Sequence, residues 1–166
     1  MAFTIPENLH PDLNPLAWLV GTWRGRGHGE YPDMERFEFA QEVVFSHDER
    51  AFLTYFSRSW IVDSDGEILR SGASETGFWR VQPGNILEVT IAHSSGSGEG
   101  WVGLFDGPKI QLHMDKSYAA PSSTPIDEGV RLYGLVAGEL FFAYDVAVNG
   151  FPLQAHLWST LPRVND

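Results

Sequence analysis

The side chains able to do chemistry here are few in kind. There is no cysteine among the 166 residues, which removes thiolate nucleophiles, thiolate metal sites, iron–sulfur clusters and any disulfide framework. Six histidines stand at positions 10, 28, 47, 93, 113 and 156, and no two are spaced i,i+2 or i,i+4, so no zinc site is signalled. Neither a Ser-His-Asp order nor a paired-carboxylate spacing can be read. Glu75 and Arg80 fall on opposite faces of one strand-like run and do not face each other. His47 and His93 read as strand-end histidines beside turns. Met1, Met34 and Met114 show no ligand pattern, and Met114 reads as core filler. His156 stands apart, because its neighbours from Phe151 to Leu161 are otherwise apolar or neutral.

The elements that must position these residues are strands. Glycine accounts for 17 residues and aromatics for 13%, with 20% charged, a mix that favours strands and tight turns. Phe37, Phe39, Gln41, Val43 and Phe45 alternate with Glu38, Ala40 and Glu42, the pattern of a half-buried strand. Similar runs cover 21–31, 51–62, 68–82, 85–93, 99–105, 109–118, 129–137, 139–149 and 151–161. Turn chemistry separates them, as at Asp63-Ser64-Asp65-Gly66, Gln82-Pro83-Gly84-Asn85 and Asn149-Gly150. Residues 9–20 predict one or two helical turns, with Asp12 or Asn14 as cap and Pro15 at the first position. The length predicts one domain over 1–166. About ten short antiparallel strands predict an all-β up-and-down barrel, which closes its own edges, ahead of a two-sheet sandwich.

Eleven basic against 22 acidic residues give a net charge of −11. Such a surface repels phosphate backbones and anionic lipid, so neither nucleic acid nor a membrane is expected as a partner. The first six residues lack a basic segment followed by an apolar one, and no stretch approaches 18 apolar residues; the expectation is a soluble, cytoplasmic protein.

In the first strand Gly21, Trp23, Gly25, Gly27 and Gly29 share one face, opposite Thr22, Arg24, Arg26, His28 and Glu30. Four glycines on one face imply either a sharp barrel bend or a flat group lying close to the backbone. No Gly-Lys-Ser/Thr follows, which discards a phosphate loop.

The run Leu19-Val20-Gly21-Thr22-Trp23-Arg24-Gly25-Arg26-Gly27, followed by Gly29-Glu30-Tyr31-Pro32, resembles the G-x-W-x-G-x-G and Gly-x-Tyr-Pro signature of the nitrobindins. These are haem-binding peroxynitrite isomerases that share a domain with a human THAP protein. The likeness continues through Ser74-Glu75-Thr76-Gly77-Phe78-Trp79-Arg80 and Ala92-His93-Ser94-Ser95-Gly96 to Pro152-Leu153-Gln154-Ala155-His156-Leu157 and Arg163. It covers nearly the whole chain.

The resemblance implies a ten-stranded barrel of the lipocalin and fatty-acid-binding-protein type. It implies one haem b per chain, with ferric iron held by His156 as both metal ligand and catalytic residue, and with Gly21, Trp23, Gly25, Gly27, Asp33 and Val146 about the cofactor. The implied ligands are peroxynitrite, isomerised to nitrate, and nitric oxide, bound reversibly by a monomer or homodimer. Two departures bear on the distal side. Gly72-Ala73 stand where the family usually has a cavity histidine, so a distal donor is expected to be missing, and Asp33 stands where it often has Thr. Phe142, Tyr144, Val146 and Val148 are expected to form an apolar wall. Simple alternation puts His156 on one face with Gln154, Trp158 and Thr160, which fits a barrel mouth and an exposed outer face equally well. Arg24 and Arg26 read equally as a local positive spot or as solvated arginines. A lipocalin-like carrier of an apolar molecule, and a nitric oxide or haem sensor, remain the alternative readings of the same barrel.

Overall fold

The computed structural model describes residues 4–165; Met1 and the two residues after it, with Asp166, lie outside the described residues. A 3-10 helix, Pro11–Leu19, precedes ten strands: β1 (Gly21–Tyr31), β2 (Met34–Ser46), β3 (Leu53–Val62), β4 (Ile68–Gln82), β5 (Ile86–His93), β6 (Ser97–Asp106), β7 (Lys109–Ala119), β8 (Ile126–Val136), β9 (Glu139–Val148) and β10 (Gln154–Leu161). Each pairs antiparallel with its chain neighbours, and β10 pairs with β1, closing the barrel. The expected barrel is thereby shown, and the alternative two-sheet sandwich is excluded. Strand ends differ from the sequence expectation by up to three residues: β2 and β8 each begin three residues earlier than expected, and β10 begins three residues later. Among the described residues no helix is long and apolar enough to cross a membrane.

The helix is capped one turn earlier than its sequence suggests. His10, rather than Asp12 or Asn14, is the N-cap, its Nδ1 accepting the Asp12 N–H at 3.2 Å; Pro11 fills the first turn and Pro15 lies inside. Leu13, Leu16, Ala17, Trp18 and Leu19 are buried in the same core as Trp23, Phe45, Leu53, Trp79 and Leu87. Trp23 Nε1–H donates to Leu19 O at 2.9 Å, and Arg163 donates to Val20 O and Trp18 O at 2.6 and 2.5 Å while its guanidinium lies 4.0 Å from the Trp23 ring centre. Gly21 has φ +134°, and a Cβ there would stand 2.5 Å from Arg163 Nη1. The Gly-x-Trp start and the terminal Arg thus lock the helix, the first strand and the chain end together at one end of the barrel.

The barrel is filled unevenly. Its core is built from the start of β1, the end of β2, the start of β3, the end of β4 and their counterparts round the ring. At the other end, where β2, β4, β6, β8 and β10 begin, a cavity of about 530 Å3 remains.

Candidate functional site

One side of the cavity is apolar. Phe37 and Phe39 from β2, Phe142, Val146 and Val148 from β9, and Leu157 from β10 line it. Tyr144 also faces inward, so the four β9 residues expected to form a wall do so. The first-strand glycines explain how the aromatic rings fit. Gly27 pairs with Phe39 and Gly29 with Phe37, and a Cβ on either glycine would collide with the facing ring. The flat groups against the bare face of β1 are therefore these two rings, which in turn present themselves to the cavity.

His156 lines the same side. Simple alternation placed it with Trp158 and Thr160, and the structure corrects this. Between β9 and β10 the register slips, Ala155 facing Asp145 and Leu157 facing Tyr144, so His156 is the extra residue of a bulge. The bulge resets the alternation. Both His156 and Leu157 face the cavity, Ser159 and Leu161 are buried beyond them, and Thr160 turns outward. Trp158 lies beside His28 and Arg36 instead.

The imidazole is held from several sides. Beyond the last β1–β10 pair, Gly29 with Leu157, the carbonyl of Glu30 lies 3.0 Å from His156 Nδ1. A carbonyl only accepts, so Nδ1 carries the proton and Nε2 keeps its lone pair. Tyr31, Phe37 and Tyr144 surround the ring, with centroids 5.4, 6.5 and 6.2 Å away. The Tyr31 hydroxyl donates to Val146 O at 3.0 Å and accepts from the Val148 N–H at 3.1 Å, tying the end of β1 to the end of β9.

The opposite side is polar, and sequence reasoning missed most of it. Glu75 on β4 receives Arg131 on β8 through Nη1 to Oε1 at 2.6 Å and Nη2 to Oε2 at 3.0 Å, together with the Tyr55 hydroxyl at 2.6 Å. Arg131 is 1% exposed, donates also to the Tyr133 hydroxyl at 3.1 Å, and lies over the Trp101 and Tyr144 rings. Burial opposes ionisation of Glu75, but the charge and hydrogen bonds of Arg131, with His93 and Tyr55, outweigh it and hold the carboxyl down at about 2. Burial and the Glu75 charge push the Tyr55 hydroxyl well above the usual phenol range. His93, expected as a strand-end residue, lines the cavity with Glu75 and Arg131, and its Nε2 lies 2.5 Å from Glu99 Oε2. A signal for this cluster was present. Glu75, His93, Glu99 and Arg131 each occupy the inward-facing register of their strands, beside Trp79, Ile91, Trp101 and Tyr133. Hydroxyls of Ser57, Ser59, Ser97 and Ser123 complete the polar wall.

Of the residues nominated for cofactor contact, the structure brings His156 and Val146 to the cavity. Gly21, Trp23 and Gly25 lie at the filled end, where Gly25 packs against Thr160 and Leu161, and Gly27 lies behind Phe39. Asp33 is exposed in the β1–β2 turn, accepting from Asn149 Nδ2 at 3.1 Å. The positive spot suggested for Arg24 and Arg26 is neutralised, since Arg24 pairs with Glu42 and Arg26 with Glu38 at 2.6 Å. Gly72 and Ala73 do line the cavity and offer it no side-chain donor.

These residues fit a haem. The cavity lies within the roughly 300–1,000 Å3 of small-molecule and cofactor sites. A flat apolar wall faces it, and a histidine with its proton committed to a backbone carbonyl presents the other nitrogen, the arrangement that fixes a metal-ligating tautomer.

The comparisons agree with that chemistry. The family model described as the THAP4-like, haem-binding β-barrel domain matches residues 12–163. A Nocardioides protein named peroxynitrite isomerase is 48% identical over 98% of this chain and 99% of its own length. A Frankia casuarinae protein of the same name is 42% identical, covering 98% and 91%. A ferric nitrobindin-like protein of Cutibacterium acnes is 38% identical over 98% and 99%. Among solved structures, that of Rv2717c from M. tuberculosis superposes with a TM-score of 0.84 at 35% identity, covering 95% of this chain and 99% of the other. The chain belongs to the nitrobindin family of THAP4-like, haem-binding β-barrel domains.

Proposed function

We propose that this protein holds one haem b, with ferric iron ligated by His156 Nε2, and that it isomerises peroxynitrite to nitrate and binds nitric oxide reversibly. The observation that carries the reading is the pairing of His156 Nδ1 with the Glu30 carbonyl, which leaves Nε2 as the unprotonated nitrogen of a side chain lining the cavity. The names of the relatives support the reaction. When bound, ferric iron supplies a Lewis acid at which peroxynitrite, an anion, rearranges to its isomer nitrate with no net electron consumed.

The chain's own residues supply the setting. The Glu30 carbonyl sets the ring orientation and raises the basicity of Nε2. Tyr31 packs edgewise and Tyr144 at a tilt against the imidazole, and together they restrict its rotation. Phe37, Phe39, Val146 and Leu157 exclude water from one side of the cavity and admit a small neutral molecule such as nitric oxide. With a net charge of −11, long-range attraction of an anion is no part of the process.

Hemin titration of the wild type and of His156→Ala, followed by absorption, tests the reading. It expects a sharp Soret band saturating at one equivalent in the wild type and its loss or displacement in the variant, with accelerated peroxynitrite decay in the loaded wild type alone. A broad band of adsorbed hemin in both proteins overturns it.

A further inference from the structure

Of the residues that line the cavity, the exposed ones are Gly72, Ala73, Ser95, Ser122 and Thr124. All are small, and all lie on the polar side. The apolar lining is buried or half-buried throughout, from Phe37 and Phe39 to Val146 and Leu157. A residue that both lines a cavity and is exposed marks where the cavity meets solvent. The opening therefore lies between the start of β4 and the loops at Ser95 and 122–124.

Turn chemistry makes this gap. β5 ends at His93 because the chain reverses through Ser94, Ser95 and Gly96, the last at φ +97°. The β4–β5 ladder stops with Glu75 and His93, so from Ile68 to Ser74 strand β4 is laddered to β3 alone. Ser94 N–H donates to Ser74 O at 2.9 Å and closes the inner corner. One bank is β4, where Ser59 Oγ accepts from Ala73 N–H at 3.1 Å. The other is the segment after β7, where Ala120 N–H donates to Gly96 O at 2.9 Å and the Ser123 hydroxyl donates to Ser95 O. Both banks are held by hydrogen bonds, and the gap between them is part of the folded barrel.

Its position and chemistry suit a small anion. In the closed sheet β4 and β5 stand four and five strands from β10, so the opening lies across the barrel from His156. Hydroxyls of Ser95, Ser97, Ser122, Ser123 and Thr124 surround it. Such groups replace part of an anion's water shell, which an apolar wall cannot do. Glu75, the carboxylate among the lining residues, is compensated by Arg131 and offers no free negative charge.

We propose that this gap is the route by which the small anionic substrate enters, and that Ala73 on β4 and Ser122 on the facing loop set its width. The inference rests on the haem reading above and adds the path and its size limit. The pair Gly72-Ala73, which offers the cavity no donor, is on this account what keeps the passage open.

The test uses azide, a small anion that binds ferric haem, mixed by stopped flow with hemin-loaded wild type, Ala73→Phe and Ser122→Phe. Both positions are exposed, and neither residue packs on the His156 ring. A narrowed route raises one barrier that the ligand crosses in both directions. Association and dissociation rate constants are expected to fall by a common factor of about tenfold or more, with azide affinity and hemin stoichiometry at wild-type values. In the haem-free proteins, hemin-displaceable uptake of the anionic dye anilinonaphthalenesulfonate is expected to slow in the same two variants, and it decides the matter for a variant that does not load with hemin. A wild-type association rate for azide in either loaded variant, or for the dye in either haem-free one, overturns the route while leaving the haem reading intact. So does a fall in association that dissociation does not share. Failure of the wild type to take up hemin specifically overturns both.

Discussion

Arg131 and Glu75, 56 positions apart in the chain, meet inside the barrel through two N–H···O bonds of 2.6 and 3.0 Å, with the guanidinium close to both the Trp101 and the Tyr144 ring. Removing one partner strands the other's charge in the interior, at a cost of about 3–5 kcal/mol. Arg131→Met is expected to lose that much in urea denaturation, and Arg131→Met with Glu75→Met to lose clearly less than the two single variants added. Additive losses would show that the pair is not coupled.

The same pair sets an acid limit. The Glu75 carboxyl is held at about 2 in the folded protein against an ordinary 4.5. Its ionisation therefore contributes stability that is fully present above about 4.5 and is lost as the pH falls towards 2. Urea midpoints measured from pH 6 to pH 2.5 are expected to fall across this window in the wild type, and to fall less in Glu75→Gln, whose lower stability at pH 6 is the cost of the lost charge.

Arg163 joins the chain end to the helix carbonyls and to the Trp23 face. Arg163→Ala removes two hydrogen bonds and a cation–π contact, a loss of about 2–4 kcal/mol. Thermal unfolding is expected to shift down by roughly 2–4 °C for each kcal/mol lost, while hemin stoichiometry stays at the wild-type value, because the filled end of the barrel is remote from the cavity.

Two glycine positions separate folding from the cavity. At Gly77 a Cβ would collide with the backbone carbonyl of Thr90, which cannot move aside, and Gly77→Ala is expected to destabilise by about 4 kcal/mol or more. At Gly29 it would collide only with the ring of Phe37. Gly29→Ala is expected to fold, with Phe37 displaced and hemin affinity lowered, as a melting curve and a hemin titration on the same sample would show.

The β8–β9 hairpin turns through Ala137 at φ +52° and Gly138 at +81°. A left-handed alanine is strained, and Ala137→Asn relieves it, with an expected gain of about 1 kcal/mol and no change in hemin binding. A loss of stability would place the turn's requirement elsewhere.

The strands were legible in the sequence because their cues are local. Period-two alternation in Phe37–Phe45 and turn chemistry such as Asp63-Ser64-Asp65-Gly66 act over a few residues, and ten such runs leave a closed barrel as the natural solution. The histidine in the terminal Pro-Leu-Gln-x-His-Leu was legible as a residue type. Its direction was not, since alternation alone put His156 with Trp158 and Thr160. A bulge depends on how β10 registers against β9, and register is a property of two strands. The polar wall failed for the same reason. Glu75, His93, Glu99 and Arg131 come from four strands, and nothing near any of them in the chain names its partner. Composition and local pattern determined the barrel and its turns, and the resemblance of the terminal motif supplied the candidate ligand. Only closure of the sheet decided which side chains share the interior, because burial makes each isolated charge too costly to remain unpaired.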